Sequence, residues 1–188
     1  TEVLVDEVMK LTDSKSRVLD MCTGSGCIII SLAAAGHTGT DSHCAVGVDI
    51  SIEALEVAEY NRRLNGALQV EYINSNLFDK LENSGLLFDV IVSNPPYIPT
   101  DDIRKLDAEV RLHDPMAALD GDTDGLRFYR AITKAAGEYL NKGGYLCYEI
   151  GYNQAQEVSD IMSEYGYKDI RVIKDLAGLD RVVIARYY

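Results

Sequence analysis

Four consecutive residues, Asn94-Pro95-Pro96-Tyr97, follow the apolar run Ile91-Val92-Ser93 and carry the most specific chemistry in the chain. Proline cannot extend a central strand, so the backbone must turn abruptly where that strand ends. Each proline also fixes its own φ, which keeps the turn stiff. A stiff turn presents the Asn94 side-chain carbonyl and the Pro95 backbone carbonyl as two fixed acceptors. Two such acceptors fit the two hydrogens of an –NH2 group, and Tyr97 can stack on the planar group that bears it. A nitrogen of that kind is a poor nucleophile, because its lone pair is delocalised into a neighbouring carbonyl or ring. Hydrogen bonding to carbonyls favours pyramidalisation and steers the lone pair towards an electrophile.

A second segment, Val18-Leu19-Asp20-Met21-Cys22-Thr23-Gly24-Ser25-Gly26-Cys27, reads as a strand running through a glycine-bearing turn into an apolar helix. Gly24 and Gly26 allow close backbone approach to a ligand, and the helix N-terminus offers free N–H groups. Ile29 breaks the Gly-x-Gly-x-x-Gly pattern of a dinucleotide turn, and no Gly-Lys-Ser or Gly-Lys-Thr marks a phosphate loop. Taken alone, the glycines fit a purely structural turn equally well. About one strand–helix–strand unit later, Val46-Gly47-Val48-Asp49 places an acid at a strand tip, where it can accept both hydroxyls of a ribose. The plainer alternative is that Asp49 helps Ser51 cap the next helix.

The elements that must position these groups alternate along the chain. Strands are predicted at Arg17–Met21, Ala45–Val48, Gln69–Asn74, Phe88–Ser93, Gly144–Ile150, Ile170–Lys174 and Arg181–Arg186, with helices near Gly26–Ala35, Ile52–Asn65, Gly125–Leu140 and Gln154–Tyr165 and a short leading helix at Val3–Lys10. Alternation of this kind is the pattern of an α/β parallel sheet covered on both faces. Val158, Ile161, Met162 and Tyr165 fall on one helical face, as do Leu126, Tyr129, Ile132, Ala136 and Leu140 before Gly143-Gly144 is expected to stop that helix. Ser51 stands where an N-cap belongs, and Asn65-Gly66 closes the helix it begins. The long stretch from Pro95 to Asp124 has little periodicity and is expected to be a lid or binding segment.

With 188 residues, 47% hydrophobic and 26% charged, the chain fits one globular domain. Its longest apolar stretch, Cys27 to Ala35, is far short of the roughly 20 residues a membrane span needs. Cys22, Cys27, Cys44 and Cys147 contain no Cys-x-x-Cys pair, and His37, His43 and His113 contain no helical metal pair. No metal is therefore expected, and the cysteines read as buried, reduced thiols of a cytoplasmic protein. The formal charge of −12 opposes nucleic acid as a direct partner, and no Lys/Arg cluster lies near Pro95–Asp124.

Together, Asp20-Met21-Cys22-Thr23-Gly24-Ser25-Gly26, Asp49 and Asn94-Pro95-Pro96-Tyr97 resemble the class I S-adenosylmethionine-dependent methyltransferases, and more narrowly the HemK/PrmC-type release-factor glutamine methyltransferases. Asp114-Pro115 to Tyr129-Arg130, Glu149-Ile150-Gly151-Tyr152-Asn153-Gln154 and Asp180-Arg181-Val182 extend the likeness over nearly the whole chain. The resemblance implies a Rossmann-like, mostly parallel seven-stranded sheet with helices on both faces and the last strand antiparallel. It implies methyl transfer to the glutamine of a Gly-Gly-Gln motif in peptide chain release factors. Cys22, Thr23, Gly24, Ser25 and Gly26 would wrap the methionine end of the cofactor, and Asp20 would help hold its amino group. Asp49 would bind the ribose, and Asn76 and Leu77 would flank the adenine. Asn94, Pro95, Pro96 and Tyr97 would hold the substrate amide, with Asn94 also near the transferring methyl.

Many relatives have glycine where Cys22 stands and aspartate where Asn76 stands. The family usually carries an N-terminal helical docking domain, so the chain is expected to be a catalytic domain without it. Two rivals use the same residues: a methyltransferase acting on an exocyclic amine of adenine or guanine, and a non-catalytic cofactor-binding module. The first would need a flipped base and a less acidic surface. The second gives the Asn-Pro-Pro-Tyr string nothing to do.

Overall fold

The strand Val18–Met21 (β1) is buried at all four residues, as a central parallel strand covered on both faces should be. In the computed structural model, which describes residues 1–105 and 115–188, β1 lies in a seven-stranded sheet. Its partners are β2 (Ala45–Asp49), β3 (Val70–Asn74), β4 (Phe88–Ser93), β5 (Leu140–Glu149), β6 (Lys168–Lys174) and β7 (Asp180–Arg186), in the order β3-β2-β1-β4-β5-β7-β6. β1 to β5 are parallel, and β7 runs antiparallel between β5 and β6.

Successive strand residues face opposite layers, which is why one short strand can anchor two cores. Leu19, Met21, Val46, Val48 and Ile91 pack with Tyr129, Ile132 and Ala136 of α6 (Arg127–Ala136) and with Val158, Ile161 and Met162 of α7 (Ala155–Glu164). Val18, Ala45, Val90 and Val92 pack instead with Leu4 and Val8 of α1 (Glu2–Met9) and with Ile28 to Ile30 and Leu32 of α2 (Cys27–Ala34). α3 (Ile52–Leu64) flanks α2 and buries Ala58. Its start is fixed as expected, with Ser51 Oγ accepting from the Ala54 N–H at 3.0 Å.

Two expectations need correction. The helix expected over Gly125–Leu140 runs only from Arg127 to Ala136, and Leu140 opens β5 instead of closing the helix. Leu140 sits opposite Phe88, and a bulge then resets the register so that Val90 faces Tyr145. The turn between helix and strand is anchored by Tyr139, whose ring stacks on Phe78 at 4.6 Å. The thiols are not uniformly buried either: Cys44 and Cys147 are, while Cys22 is half-buried and Cys27, at the open side of the first turn of α2, is exposed.

The stretch expected to form a lid is described at both of its ends. Thr100–Ile103 (α4) and Met116–Leu119 (α5) are single turns, while Asp114 and His113 lie outside the described residues. Ile98 pairs with Asp120, which lays the end of this stretch against the chain leaving β4. Among the described residues, no helix is long and apolar enough to cross a membrane.

Candidate active site

Strand order reverses between β1 and β4, and a doubly wound sheet opens a crevice at the carboxyl ends of its strands at such a point. Met21 pairs with Val48 on one side and Ser93 on the other, and Ser93 pairs with Tyr148. The next residue on each strand is therefore level along one edge: Asp49, Cys22, Asn94 and Glu149. Ser93 Oγ donates to the Met21 carbonyl at 2.5 Å and ties the two central tips together.

The turn after β1 is closed by its own side chains. Thr23 donates its N–H to the Val48 carbonyl at 2.9 Å and its hydroxyl to Asp20 Oδ2 at 2.6 Å. Asp49 Oδ2 accepts from the Gly24 N–H at 2.8 Å, and Asn61 of α3 donates to the Ser25 carbonyl at 3.0 Å. Gly26 has φ of +79°, and a Cβ there would meet Tyr72 Oη at 2.6 Å, so only glycine fits. The space outside Gly24 is open: a Cβ would touch nothing within 4 Å. Cys22 has φ of +61°, the left-handed region in which glycine is at ease, and its side chain turns in against the core.

Asp20 has no exposed surface. Besides Thr23, its Oδ2 accepts from the Ile29 N–H at 3.4 Å, while Oδ1 is buried without a partner among the described residues. Burial pushes its pKa up to about 7, against the pull of the Thr23 and Ile29 hydrogen bonds. Its carboxyl therefore lies beneath the turn, organising it. Asp49 is half-buried and does two jobs at once: Oδ2 holds Gly24 and Oδ1 accepts from the Ser51 N–H at 2.9 Å. The helix-capping alternative is thus real, yet each oxygen keeps a further lone pair for a ligand.

At the β3 tip, Asn74 Nδ2 donates to the Ile50 carbonyl at 2.8 Å, fixing that tip against β2. Asn76 is exposed and donates to Asp79 Oδ2 at 3.1 Å; Leu77 has φ of +47° and packs partly against the core. At the β4 tip, Asn94 is half-buried, Pro95 is buried, and Pro96 and Tyr97 are half-buried. Burial raises the Tyr97 phenol above its ordinary pKa, helped by Glu149 and opposed by Arg181. All the sequence-predicted residues therefore lie along one edge, with Asn76 and Leu77 at its β3 end.

Several residues at this edge were given no role by the sequence reading. Ile50, 65% exposed, directly follows Asp49 and offers an apolar face at the mouth. Glu149 ends an apolar strand just as Asp49 does, a signal that could have singled it out. Gln154 Nε2 donates to the Tyr97 carbonyl at 3.0 Å while its Oε1 accepts from the Gly151 N–H at 3.0 Å. Among the described residues, no group of three or more His, Cys, Asp or Glu could hold a metal.

Comparison with known proteins finds methyltransferases. A family model described as a methyltransferase domain matches residues 12–177. Over 187 residues the chain is 44% identical to the release factor glutamine methyltransferase of Geobacter sulfurreducens, covering 99% of this chain and 63% of that one. It is 42% identical over 188 residues to that of Fusobacterium nucleatum subsp. nucleatum, covering 99% and 52%. Among solved structures, the release-factor-specific protein-(glutamine-N5) methyltransferase of Alicyclobacillus acidocaldarius subsp. acidocaldarius superposes with a TM-score of 0.55 at 30% identity, over 99% of this chain and 90% of that one. The chain thus spans between about half and two thirds of the length of these two curated relatives.

Proposed function

The chain belongs to the methyltransferase domain family, among the release factor glutamine methyltransferases, and on that premise we propose that it methylates the side-chain amide nitrogen of the glutamine in the Gly-Gly-Gln motif of peptide chain release factors. The observation that carries this reading is the placement of Asn94 and Pro95 immediately beside the turn at Cys22–Gly26, through the Met21–Ser93 pairing. An amide held by the first pair would face a ligand held by the second.

The edge fits S-adenosylmethionine. The open face over Gly24, the acid at the β2 tip, the apolar Ile50 beside it and the Oδ1 of Asp20, which has no partner among the described residues, match a ligand with a cationic amino acid end, a ribose and a base. When bound, that cofactor supplies an electrophilic methyl on its sulfonium. Cys22 to Gly26 hold the amino acid end with Asp20 supporting them from beneath, Asp49 accepts from the ribose hydroxyls, and Asn76 and Leu77 border the adenine. Asn94 Oδ1 and the Pro95 carbonyl accept the two amide hydrogens of the substrate, and Tyr97 stacks on its plane. They orient the nitrogen lone pair and stabilise the positive charge that grows on it during attack. As the nitrogen takes the methyl, the methyl–sulfur bond would break and leave S-adenosylhomocysteine; the amide proton leaves after transfer, so no base need act first.

A cytoplasmic location and the absence of direct nucleic-acid binding belong to the same reading. The charge around Asn94–Tyr97 disfavours the rival base methyltransferase: among the described residues between Pro95 and Asp124, the acids Asp101, Asp102, Asp120, Asp122 and Asp124 outnumber the bases Arg104 and Lys105. The test is to incubate the protein with methyl-labelled cofactor and either a release factor or nucleic acid. Label should enter release factor alone, and Asn94→Ala should slow transfer about 100- to 1000-fold while cofactor affinity changes little. Label in nucleic acid, with none in release factor, would overturn the reading.

A further inference from the structure

Strands β6 and β7 raise a hairpin beside the substrate site. Val182 of β7 pairs with Glu149, which stands level with Asn94 through the Ser93–Tyr148 pairing, so β7 starts from the same edge as the Asn-Pro-Pro-Tyr turn. The hairpin runs on past that level through Arg181 and Asp180, and Asp180 pairs with Lys174 just before the loop 175–179. At about 3.4 Å per residue the tip stands roughly 10 Å above the edge, and at about 4.8 Å per strand it lies roughly 10 Å to the side of β4.

The tip is held together by its own polar groups. The Asp175 carboxylate accepts from the Ala177 N–H at 2.9 Å, the Leu179 N–H at 3.0 Å and the Arg181 guanidinium at 3.2 Å, while the Asp175 N–H donates to the Leu179 carbonyl at 2.8 Å. Arg181 also donates to the Ile150 carbonyl at 3.2 Å, which ties the hairpin to the end of β5. Lys174 pairs with Asp180 at 3.0 Å. What this scaffold turns outward is apolar: Leu176 is fully exposed at the apex, and Leu179 and Tyr152, the latter just past the end of β5, are exposed as well.

We propose that this hairpin tip, with Leu176 at its apex, is a docking contact for an apolar surface of the release factor beside its reactive glutamine. The inference rests on the functional reading above and deepens it by naming where the substrate protein is held. A glutamine that reaches Asn94 and Pro95 must be carried down onto the edge, and a hairpin about as tall as it is distant meets the protein that carries it. Local charge selects the occupant. Lys174 and Arg181 are engaged by Asp180 and Asp175, so the tip presents little positive charge to a phosphate backbone, and burial of apolar surface is the gain it offers. Because hydrogen bonds already fix the loop, docking costs little ordering entropy.

The test compares Leu176→Ser with Leu68→Ser, the same change at an exposed leucine just before β3, at the opposite end of the sheet. Leu176→Ser should lower kcat/KM for intact release factor roughly tenfold, mostly through KM, while Leu68→Ser stays within about twofold of the unaltered chain. Both should keep the unaltered thermal unfolding temperature and bind S-adenosylhomocysteine within about twofold, since neither side chain is buried nor near the cofactor end of the edge. A benzophenone side chain placed at position 176 should photo-crosslink to release factor, and one at position 68 should not. Unchanged efficiency in Leu176→Ser, an equal loss in Leu68→Ser, or a crosslink from position 176 only to a second copy of this chain would overturn the proposal. If the unaltered chain methylates no release factor, the functional reading fails, and the crosslink still decides this inference: capture of release factor at position 176 keeps it, and no capture ends it.

Discussion

Two aspartates at the site show how environment assigns different work to the same side chain. Asp49 is half-buried, and its hydrogen bonds to Gly24 and Ser51 hold the turn against α3 while leaving acceptor capacity for a ribose. Asp49→Ala should weaken S-adenosylhomocysteine binding by about 2–4 kcal/mol, on the order of 30- to 1000-fold, because charge-assisted hydrogen bonds contribute about 1.5–3 kcal/mol each. Calorimetry giving less than a twofold change would remove Asp49 from the ribose site. Asp20 is wholly buried, and its pKa is pushed up to about 7 from the ordinary 3.8. Between those two values the unfolded chain has released a proton that the folded chain still holds. Stability attributable to Asp20 therefore falls as pH rises from about 4 to 7 and is level above that. Asp20→Asn removes this dependence. Thermal unfolding of both proteins across that range should show the unaltered chain losing on the order of a few kcal/mol relative to the variant as pH rises. Parallel curves would mean that the Asp20 carboxyl titrates alike in the folded and unfolded chain, and would remove the raised pKa.

At the scale of elements, the Asn-Pro-Pro-Tyr turn is braced by pieces far away in sequence. Gly121 and Gly125 pack so closely on Tyr97 that a Cβ on Gly121 would come within 2.9 Å of the Tyr97 Cα, and one on Gly125 would strike the Tyr97 carbonyl. Gln154, at the N-terminal end of α7, then joins Tyr97, Gly125 and Gly151 with a single amide. Gln154→Ala should lower stability by about 1–3 kcal/mol, since it strands buried partners. It should also slow methyl transfer more than it weakens cofactor binding; the reverse order of effects would show that the brace serves the cofactor instead. This brace was not legible in the sequence. The strands were, because each buried parallel strand is a short apolar run, and the two tip motifs were, because proline and glycine mark turns by themselves. The contact between Gln154 and Tyr97 depends on β4, β5 and the 119–125 segment meeting in space, which no local pattern encodes. The end of α6 was misread for a related reason. Leu140 continues the helical spacing of Leu126, Tyr129, Ile132 and Ala136, but it is buried as the first residue of β5. Periodicity reports which residues are buried; it does not report which element buries them.

At the scale of the molecule, the groups proposed to face the cofactor and the amide all lie on one edge of one sheet, within Asp20–Tyr97. The chain matches almost end to end, yet the Geobacter sulfurreducens and Fusobacterium nucleatum relatives are longer, since it covers 63% and 52% of them. Chemistry and recognition of an intact release factor should therefore separate. S-adenosylhomocysteine should bind this 188-residue chain about as tightly as it binds the whole Geobacter sulfurreducens relative, because every group proposed to touch it is present. Methylation of intact release factor should be less efficient by orders of magnitude, because binding energy remote from the reacting amide helps hold it in attack geometry. A net charge of −12 adds to the demand for specific docking, since it disfavours any acidic partner. The comparison needs three proteins side by side: this chain, the Geobacter relative whole, and that relative cut to the matching stretch. Cofactor affinity should agree across all three, while efficiency on release factor should be high only for the whole relative. Equal efficiency in the cut and whole forms would show that docking resides in the stretch described here, with the segments flanking Asn94–Tyr97 as its surface.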